Sequence, residues 1–240
     1  MKELFIENCK FIKIPLGEAE MIFSTAENDL DFNKAMEKGK KNLENIKRWF
    51  DVEKVGFLQQ VHGDSTIVYD ERIYEENIYE ADAIITDFKN TAIGVFTADC
   101  VPILLYDKKN KAIAAVHSGW RGTLKCVLLK TIEKMEKKFG TKGEDVIAAI
   151  GPHNRQCCFE VGEEVISEFN NLEIYKNLNF FNGRKLSMIA CIKHQLKLKG
   201  VTYSNIHDIN ICTFCSKEPI MHSYRKNKNS GRMFSFVLLK

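Results

Sequence analysis

Three short segments carry residue types able to do chemistry: Gln59-Gln60-Val61-His62-Gly63, Thr97-Ala98-Asp99-Cys100 and Ala115-Val116-His117-Ser118-Gly119-Trp120-Arg121-Gly122. Each sets one nitrogen or sulfur ligand, His62, Cys100 or His117, at the end of an apolar, strand-like run. Two imidazoles and one thiolate suit a transition metal, with zinc the default for mixed nitrogen and sulfur donors. Three protein ligands leave a fourth position open, the arrangement of catalytic rather than structural zinc. Taken singly, each residue has a plainer reading. A His at a strand end is commonly just hydrogen-bonded, and a Cys between apolar neighbours is commonly core. The matched strand-end placement of all three favours a site. Asp99, beside Cys100, is placed to orient a ligating imidazole. Cys100 with His117 also fits the nucleophile and base of a cysteine hydrolase or amidase.

For these ends to converge, the strands that carry them must be sheet neighbours, which brings the ends within roughly 5–10 Å. The apolar runs at 55–62, 66–69, 83–86, 92–97, 103–106 and 112–117 read as strands. The polar turn Asp107-Lys108-Lys109-Asn110 joins the last two as a hairpin. Residues 11–15 and 20–25 read as earlier strands, and 146–150, 206–211 and 234–239 as later ones. Apolar residues at helical spacing predict helices over 32–50, 124–139, 161–169 and 186–198, with Gly140 ending the second. Strands outnumber helices and come in a block, so the fold class is α+β, with mixed sheets packed against helices. Without repeats, low-complexity stretches or a Pro/Gly/Ser linker, residues 1–240 read as one domain.

Composition narrows the function. Basic residues number 35 against 32 acidic ones, and a net charge of +3 lacks the clustered excess of a nucleic-acid binder. No apolar run approaches the roughly 20 residues needed to span a bilayer, and the first residues lack the apolar stretch of a signal peptide. The expected location is the cytoplasm, with no membrane partner. Eight cysteines in such a chain are not expected to pair as disulfides. Cys9, Cys126 and Cys191 lie in apolar surroundings and read as inert buried thiols. Cys157 and Cys158 are adjacent, so on a strand they could not both point into one site. Cys212-x-x-Cys215 is a single CxxC, weak as a zinc signal without a second pair. It leaves open a zinc-stabilised binding module as a non-enzymatic alternative. His153 reads as a solvent-facing loop residue or a spare ligand, and His194 and His207 as structural. Arg225 and Arg232 flank a Lys/Asn-rich loop and suit a phosphate or carboxylate.

The motifs QVHG, TADC-x-P-x-L-L-x-D, AAVHSGWRG, IGP followed by C-x-F-E-V-G, and SYR…GR occur here in the order typical of the YfiH-like proteins. The resemblance runs from about His62 to the C-terminus. That family was first described as multicopper polyphenol oxidases with a laccase domain, and is now regarded as purine nucleoside phosphorylases with adenosine deaminase side activity. The resemblance implies zinc on His62, Cys100 and His117, with copper able to enter in vitro. It also implies phosphorolysis of adenosine, inosine, guanosine or methylthioadenosine to base and ribose 1-phosphate. On this reading Cys100, Asp99 and Glu160 are catalytic candidates, Gln60, Arg121, Arg225 and Arg232 are candidates for substrate or phosphate, and the protein is a monomer or homodimer. Six His cannot supply both a blue-copper site and a three-copper cluster, which weighs against the polyphenol oxidase alternative. The chain departs from the family at Ala26-Glu27-Asn28-Asp29, where an Arg is usual, at Ser118, and at Lys226.

Overall fold

A computed structural model describes residues 1–70 and 79–240. In chain order its strands are β1 (Lys2–Ile6), β2 (Cys9–Leu16), β3 (Ala19–Ser24), β4 (Lys54–Gly56), β5 (Thr66–Val68), β6 (Ala83–Thr86) and β7 (Thr91–Thr97). Then come β8 (Val101–Asp107), β9 (Ala112–Ser118), β10 (Val146–Ile150), β11 (Phe181–Asn182), β12 (Lys185–Leu186), β13 (Ile206–Asp208) and β14 (Met233–Leu239). The helices are α1 (Glu37–Phe50), α2 (Trp120–Leu124), α3 (Val127–Phe139), α4 (Glu163–Asn170) and α5 (Met188–Leu198).

Two six-stranded sheets, ordered β1-β2-β3-β14-β7-β4 and β13-β10-β8-β9-β6-β5, lie face to face. Both are mixed: β4–β7, β5–β6 and β10–β13 pair parallel, and their other neighbours antiparallel. The class expected from sequence, α+β with mixed sheets against helices, is the one observed.

Side-chain alternation along the strands builds the layers. In β9, Ile113 and Ala115 enter the core between the sheets, whereas Ala112, Ala114 and Val116 point to the opposite face. That opposite face packs on α3, α4 and α5 through Leu128, Ile132, Phe169, Ile192 and Leu196. In β14, Val237 and Leu239 face the inter-sheet core, while Phe234, Phe236 and Leu238 face α1 through Leu43, Ile46 and Phe50. The result is helix, sheet, sheet, helices. Burial on both faces explains why these strands read as continuous apolar runs rather than alternating ones. Each fully buried branched or aromatic side chain contributes about 1.5–3 kcal/mol, so the sheets form a firm base for the loops at their ends.

Element boundaries differ from the sequence reading where side chains capture the backbone. The first helix begins at Glu37 rather than Phe32. Upstream, Asp31 Oδ1 accepts the Asn33 amide and Asn33 Oδ1 accepts the Ala35 amide, side-chain bonds that compete with a helical turn. Gly39 sits in that first turn because a Cβ there would lie 2.1 Å from the Asn33 carbonyl oxygen. The predicted strand at 55–62 stops at Gly56. The helix predicted over 124–139 is two pieces, broken at Cys126, which adopts φ 59°. Gly140 ends α3 in the left-handed conformation, as expected. The strand expected over 206–211 ends at Asp208, and the N-terminal strand β1 went unread.

Candidate metal centre and adjoining cavity

His62, Cys100 and His117 come together with their ligand atoms all within 4.8 Å of one another. His117 is the last residue but one of β9, opposite Pro102, the second of β8, and is 3% exposed. Cys100 sits where the chain passes from β7 in one sheet to β8 in the other. His62 is not on a strand at all: it lies in a loop at φ 58°. Its Nε2 is 3.9 Å from the Cys100 sulfur, and its ring meets that of His117 edge-to-face at 4.9 Å.

The residue that assembles this cluster is Asp82, fully buried immediately before β6. Its carboxylate accepts the backbone amides of Val61, His62 and Gly63 at 3.3, 3.0 and 2.5 Å. It also accepts Nδ1–H of His117 at 2.8 Å. One carboxylate thereby pulls the His62 loop out of strand pairing and fixes the His117 tautomer, leaving Nε2 free to ligate. Burial alone would raise the Asp82 carboxyl, but the His117 contact and the amides outweigh it and hold it below the usual range. Burial would likewise push the Cys100 thiol up; His117 and His62 bring it down to about 6. His117 is raised to about 9 against its own burial by Cys100 and Asp82. A thiolate, a neutral-capable imidazole held by a carboxylate and a second imidazole form a donor set suited to zinc. The cluster is able to hold a metal ion. Gly119 completes it by close approach, since a Cβ there would lie 3.1 Å from the Cys100 sulfur and 3.2 Å from the His62 ring.

Beside the cluster opens a cavity of about 870 Å³. Cationic groups ring it: Lys34, Arg225, Lys228 and Arg232. Apolar and aromatic faces come from Leu58, Phe96, Phe159 and Tyr224. Burial pushes the Lys34 ammonium below its ordinary value, and its Nζ donates to the Leu58 carbonyl at 3.2 Å. Arg225 lies over the Phe159 ring at 5.2 Å, with Nη1 donating to the Glu160 carbonyl at 2.5 Å. Arg232 donates from Nη1 to the carbonyls of Ser230 and Gly231. Asn154, 2% exposed, also lines the cavity, and neither polar atom of its amide has a hydrogen-bond partner.

Several expectations need correction. Asp99 does not orient an imidazole. At φ 100° its carboxylate turns away to accept the Thr213 hydroxyl at 2.6 Å and the Arg225 amide at 2.7 Å, and Asp82 does the orienting. Glu160 is exposed, pairs with Arg184 at 3.6 Å and is not among the cavity-lining side chains. Arg121 is likewise exposed, with its guanidinium stacked on Trp120 at 4.1 Å, outside the cavity. Gln60 reaches the cavity, but its amide exchanges two 2.7 Å hydrogen bonds with the Phe96 backbone. His153 is buried, neither solvent-facing nor a ligand: Nδ1 meets the Gly151 carbonyl at 2.8 Å, and burial pushes the imidazole down to about 4. Ser118 binds Thr123 of α2, hydroxyl to hydroxyl at 2.7 Å. Cys191 is buried as expected, while Cys9 and Cys126 are only partly so.

Sequence reasoning missed Asp82, Asn154, Lys34 and Lys228. Asp82 left a signal, a lone acid opening the apolar run Ala83-Ile84-Ile85, and Lys228 lies in the Lys/Asn-rich loop between Arg225 and Arg232. No helix among the described residues is long and apolar enough to cross a membrane.

Comparison with known proteins supplies the family. The chain belongs to the family described as multi-copper polyphenol oxidoreductase laccase, whose model matches residues 15–240. A purine nucleoside phosphorylase of Clostridium acetobutylicum is 46% identical over 236 residues, covering 98% of each chain. A relative named adenosine deaminase RL5, from an unknown prokaryotic organism, is 32% identical over 204 residues, covering 79% of this chain and 77% of that one. Among solved structures, the Bacillus licheniformis hypothetical protein YfiH superposes with a TM-score of 0.85 at 21% identity, covering 98% and 97% of the two chains.

Proposed function

We propose that this protein is a zinc-dependent purine nucleoside phosphorylase. Phosphate attacks C1′ of a purine nucleoside, the C1′–N bond breaks with its electron pair leaving on the base, and ribose 1-phosphate and the protonated purine result. The observation that carries this reading is the cavity itself. Four cationic side chains face one space beside a two-His, one-Cys cluster, and the lining acid, Asp99, is already engaged by Thr213 and Arg225. Such a field suits a phosphate dianion. The 46% identity to a phosphorylase over nearly the whole chain supports the same reaction.

His62, Cys100 and His117 would hold the zinc, and the chemistry a bound zinc supplies there is Lewis-acid polarisation of a reacting oxygen. Asp82 keeps two of those ligands in place. Lys34, Arg225, Lys228 and Arg232 gather and orient phosphate; Lys34, half-buried and without a carboxylate partner at its Nζ among the described residues, gains most from the anion. Phe159 and Tyr224 offer ring faces to a purine. Asn154 offers one acceptor and two donors to base or sugar edges. The usual family Arg is replaced near Ala26, and Lys34, further along the same connection to α1, supplies a cation on this side of the cavity.

Adenosine deamination in the same cavity is the accompanying activity, supported by the relative named for it. A polyphenol oxidase is disfavoured by donor supply: neither metal-capable cluster among the described residues includes His153, His194, His207 or His222. One observation favours a cysteine hydrolase instead, namely the opposed shifts of Cys100 and His117, which describe a thiolate–imidazolium pair.

The test incubates adenosine with the protein, with and without phosphate, and resolves adenine, inosine and hypoxanthine by chromatography. Adenine that requires phosphate and disappears in His62→Ala is the expected result. Inosine formed equally without phosphate would make deamination the main reaction. No product from zinc-loaded protein, with activity on amide or ester substrates lost to alkylation but not to chelators, would install the hydrolase reading.

A further inference from the structure

A second group of metal-capable side chains lies away from the first. The sulfurs of Cys157, Cys158, Cys212 and Cys215 are all within 4.8 Å of one another. The sequence argument against Cys157 and Cys158 sharing a site assumed a strand. They sit instead on a tight turn, where the amide of Cys158 donates to the Arg155 carbonyl at 2.8 Å. A second turn carries the other pair, with Ser216 N donating to Cys212 O at 3.0 Å. Turns place successive side chains on one side in a way that strands do not.

The fold sets these turns against each other. Strands β10 and β13 are parallel neighbours, with Ile150 opposite Asp208, so both chains leave the sheet at the same end. Pairing continues beyond the sheet as a parallel bridge between His153 and Cys212. His153 N donates to Ile211 O at 3.3 Å and Thr213 N to His153 O at 3.0 Å. The Arg155 guanidinium then grips Asp208 with two bonds of 2.8 and 3.2 Å. Each CC or CxxC pair is thus delivered to the other by a register that the β-ladder fixes.

Spacing matches a closed tetrahedral site. Ligands about 2.3 Å from a tetrahedral centre lie about 3.8 Å apart, and the Cys157 and Cys215 sulfurs are 3.8 Å apart. All four are free thiols. Four sulfur donors select zinc among common divalent ions and leave no open position for chemistry.

We propose that Cys157, Cys158, Cys212 and Cys215 form a second, structural zinc site that clamps a loop of the cavity wall to a neighbouring turn. The loop brings Asn154 and Phe159 to the cavity; the turn carries Thr213, whose hydroxyl holds the cavity-lining Asp99 beside Cys100. The site does not depend on the reaction the cavity performs.

The test is metal content per chain, by elemental analysis, of protein purified after growth with zinc. The wild type is expected to carry two zinc ions. The double variant His62→Ala/Cys100→Ala removes the first site and is expected to carry one. Adding Cys215→Ser is expected to leave none. A double variant without metal, or one whose zinc survives Cys215→Ser, overturns the proposal. So does finding the four thiols oxidised as disulfides in the purified protein, and a single iron there overturns the choice of zinc. Should the triple variant fail to fold, cobalt(II) loaded into the double variant decides the matter. A sulfur-to-cobalt charge-transfer band of four-thiolate intensity supports the site, and its absence refutes it.

Discussion

Around His62, Cys100 and His117 the ligands come from three separate stretches of chain, and the two histidines are gathered by a buried carboxylate. Around Cys157, Cys158, Cys212 and Cys215 they come from two turns, gathered by backbone pairing that continues a parallel ladder. The first cluster has three donors and faces a cavity of about 870 Å³ lined with cations. The second has four donors of one kind, and none of its cysteines lines that cavity. Donor number and access separate them: an incomplete shell beside space suits chemistry, whereas a complete one suits cross-linking. Their supports differ too. Asp82 acts through charge-assisted hydrogen bonds to the ligands, whereas the cysteine turns rely on register and on the Arg155–Asp208 pair behind them.

The contrast can be broken most severely at Asp82. Asp82→Ala strips a buried acceptor from the amides of His62 and Gly63 and from the His117 imidazole. Zinc affinity of the first site should fall by about 10–100-fold, with stability lowered by about 3 kcal/mol or more. The second site's metal should be retained. Competition with a chelator of known affinity, read separately for each equivalent, checks this. Equal loss from both sites would show that the clusters share one support.

Asn154 sharpens the comparison from the substrate side, because it stands on the loop the cysteine turn would anchor. Asn154→Ala should lower kcat/KM for the nucleoside by about 10–100-fold, the scale of one or two lost hydrogen bonds to substrate. Unfolding stability should stay level or rise, since neither amide atom has a partner in the free protein. A stability loss with unchanged kinetics would make the residue structural.

How much of this was legible beforehand follows from the same contrast. His62, Cys100 and His117 announce themselves because each interrupts an apolar run at its end, a local signal. Asp82 acts across 20 and 35 residues on His62 and His117, and nothing local distinguishes it from any acid preceding a strand. The four cysteines converge only once β10 and β13 are known to be parallel neighbours, a non-local fact that spacing does not encode. Glu160 and Arg121 lie outside the cavity lining for a related reason: nearness in sequence to a motif does not fix which way a side chain points. The strands were readable as apolar runs, but two buried faces erased the alternation that would have assigned each residue to a layer. Boundaries at Phe32 and His62 were lost to side chains capturing backbone amides.

A smaller effect is expected behind the cysteine turns. Burial would raise the Asp208 carboxyl, but the Arg155 bonds and charge, with the Asn210 amide and Lys193, hold it below its ordinary value. Its contribution is therefore present above the unfolded value of about 4 and is lost as pH falls through the lower folded value. Arg155→Ala should cost about 2 kcal/mol at pH 7, and the difference from wild type should shrink as the solution is acidified below pH 4. Denaturant titrations at the two pH values measure it. A deficit independent of pH would locate the effect in lost packing of the Arg155 stem. Smallest of all, Gly119→Ala forces a tight contact on the first cluster alone, so it should weaken metal there several-fold with no change at the cysteines.

The central claim, that the open cluster and its cationic cavity carry out phosphorolysis, is tested most directly by following ribose 1-phosphate and adenine together from adenosine and inorganic phosphate. Wild-type protein and His62→Ala would be compared at matched zinc loading of the second site. The account predicts the two products in equal amounts, only when phosphate is present, and at background level in His62→Ala. Adenine release that ignores phosphate, or that persists undiminished in His62→Ala, would contradict it.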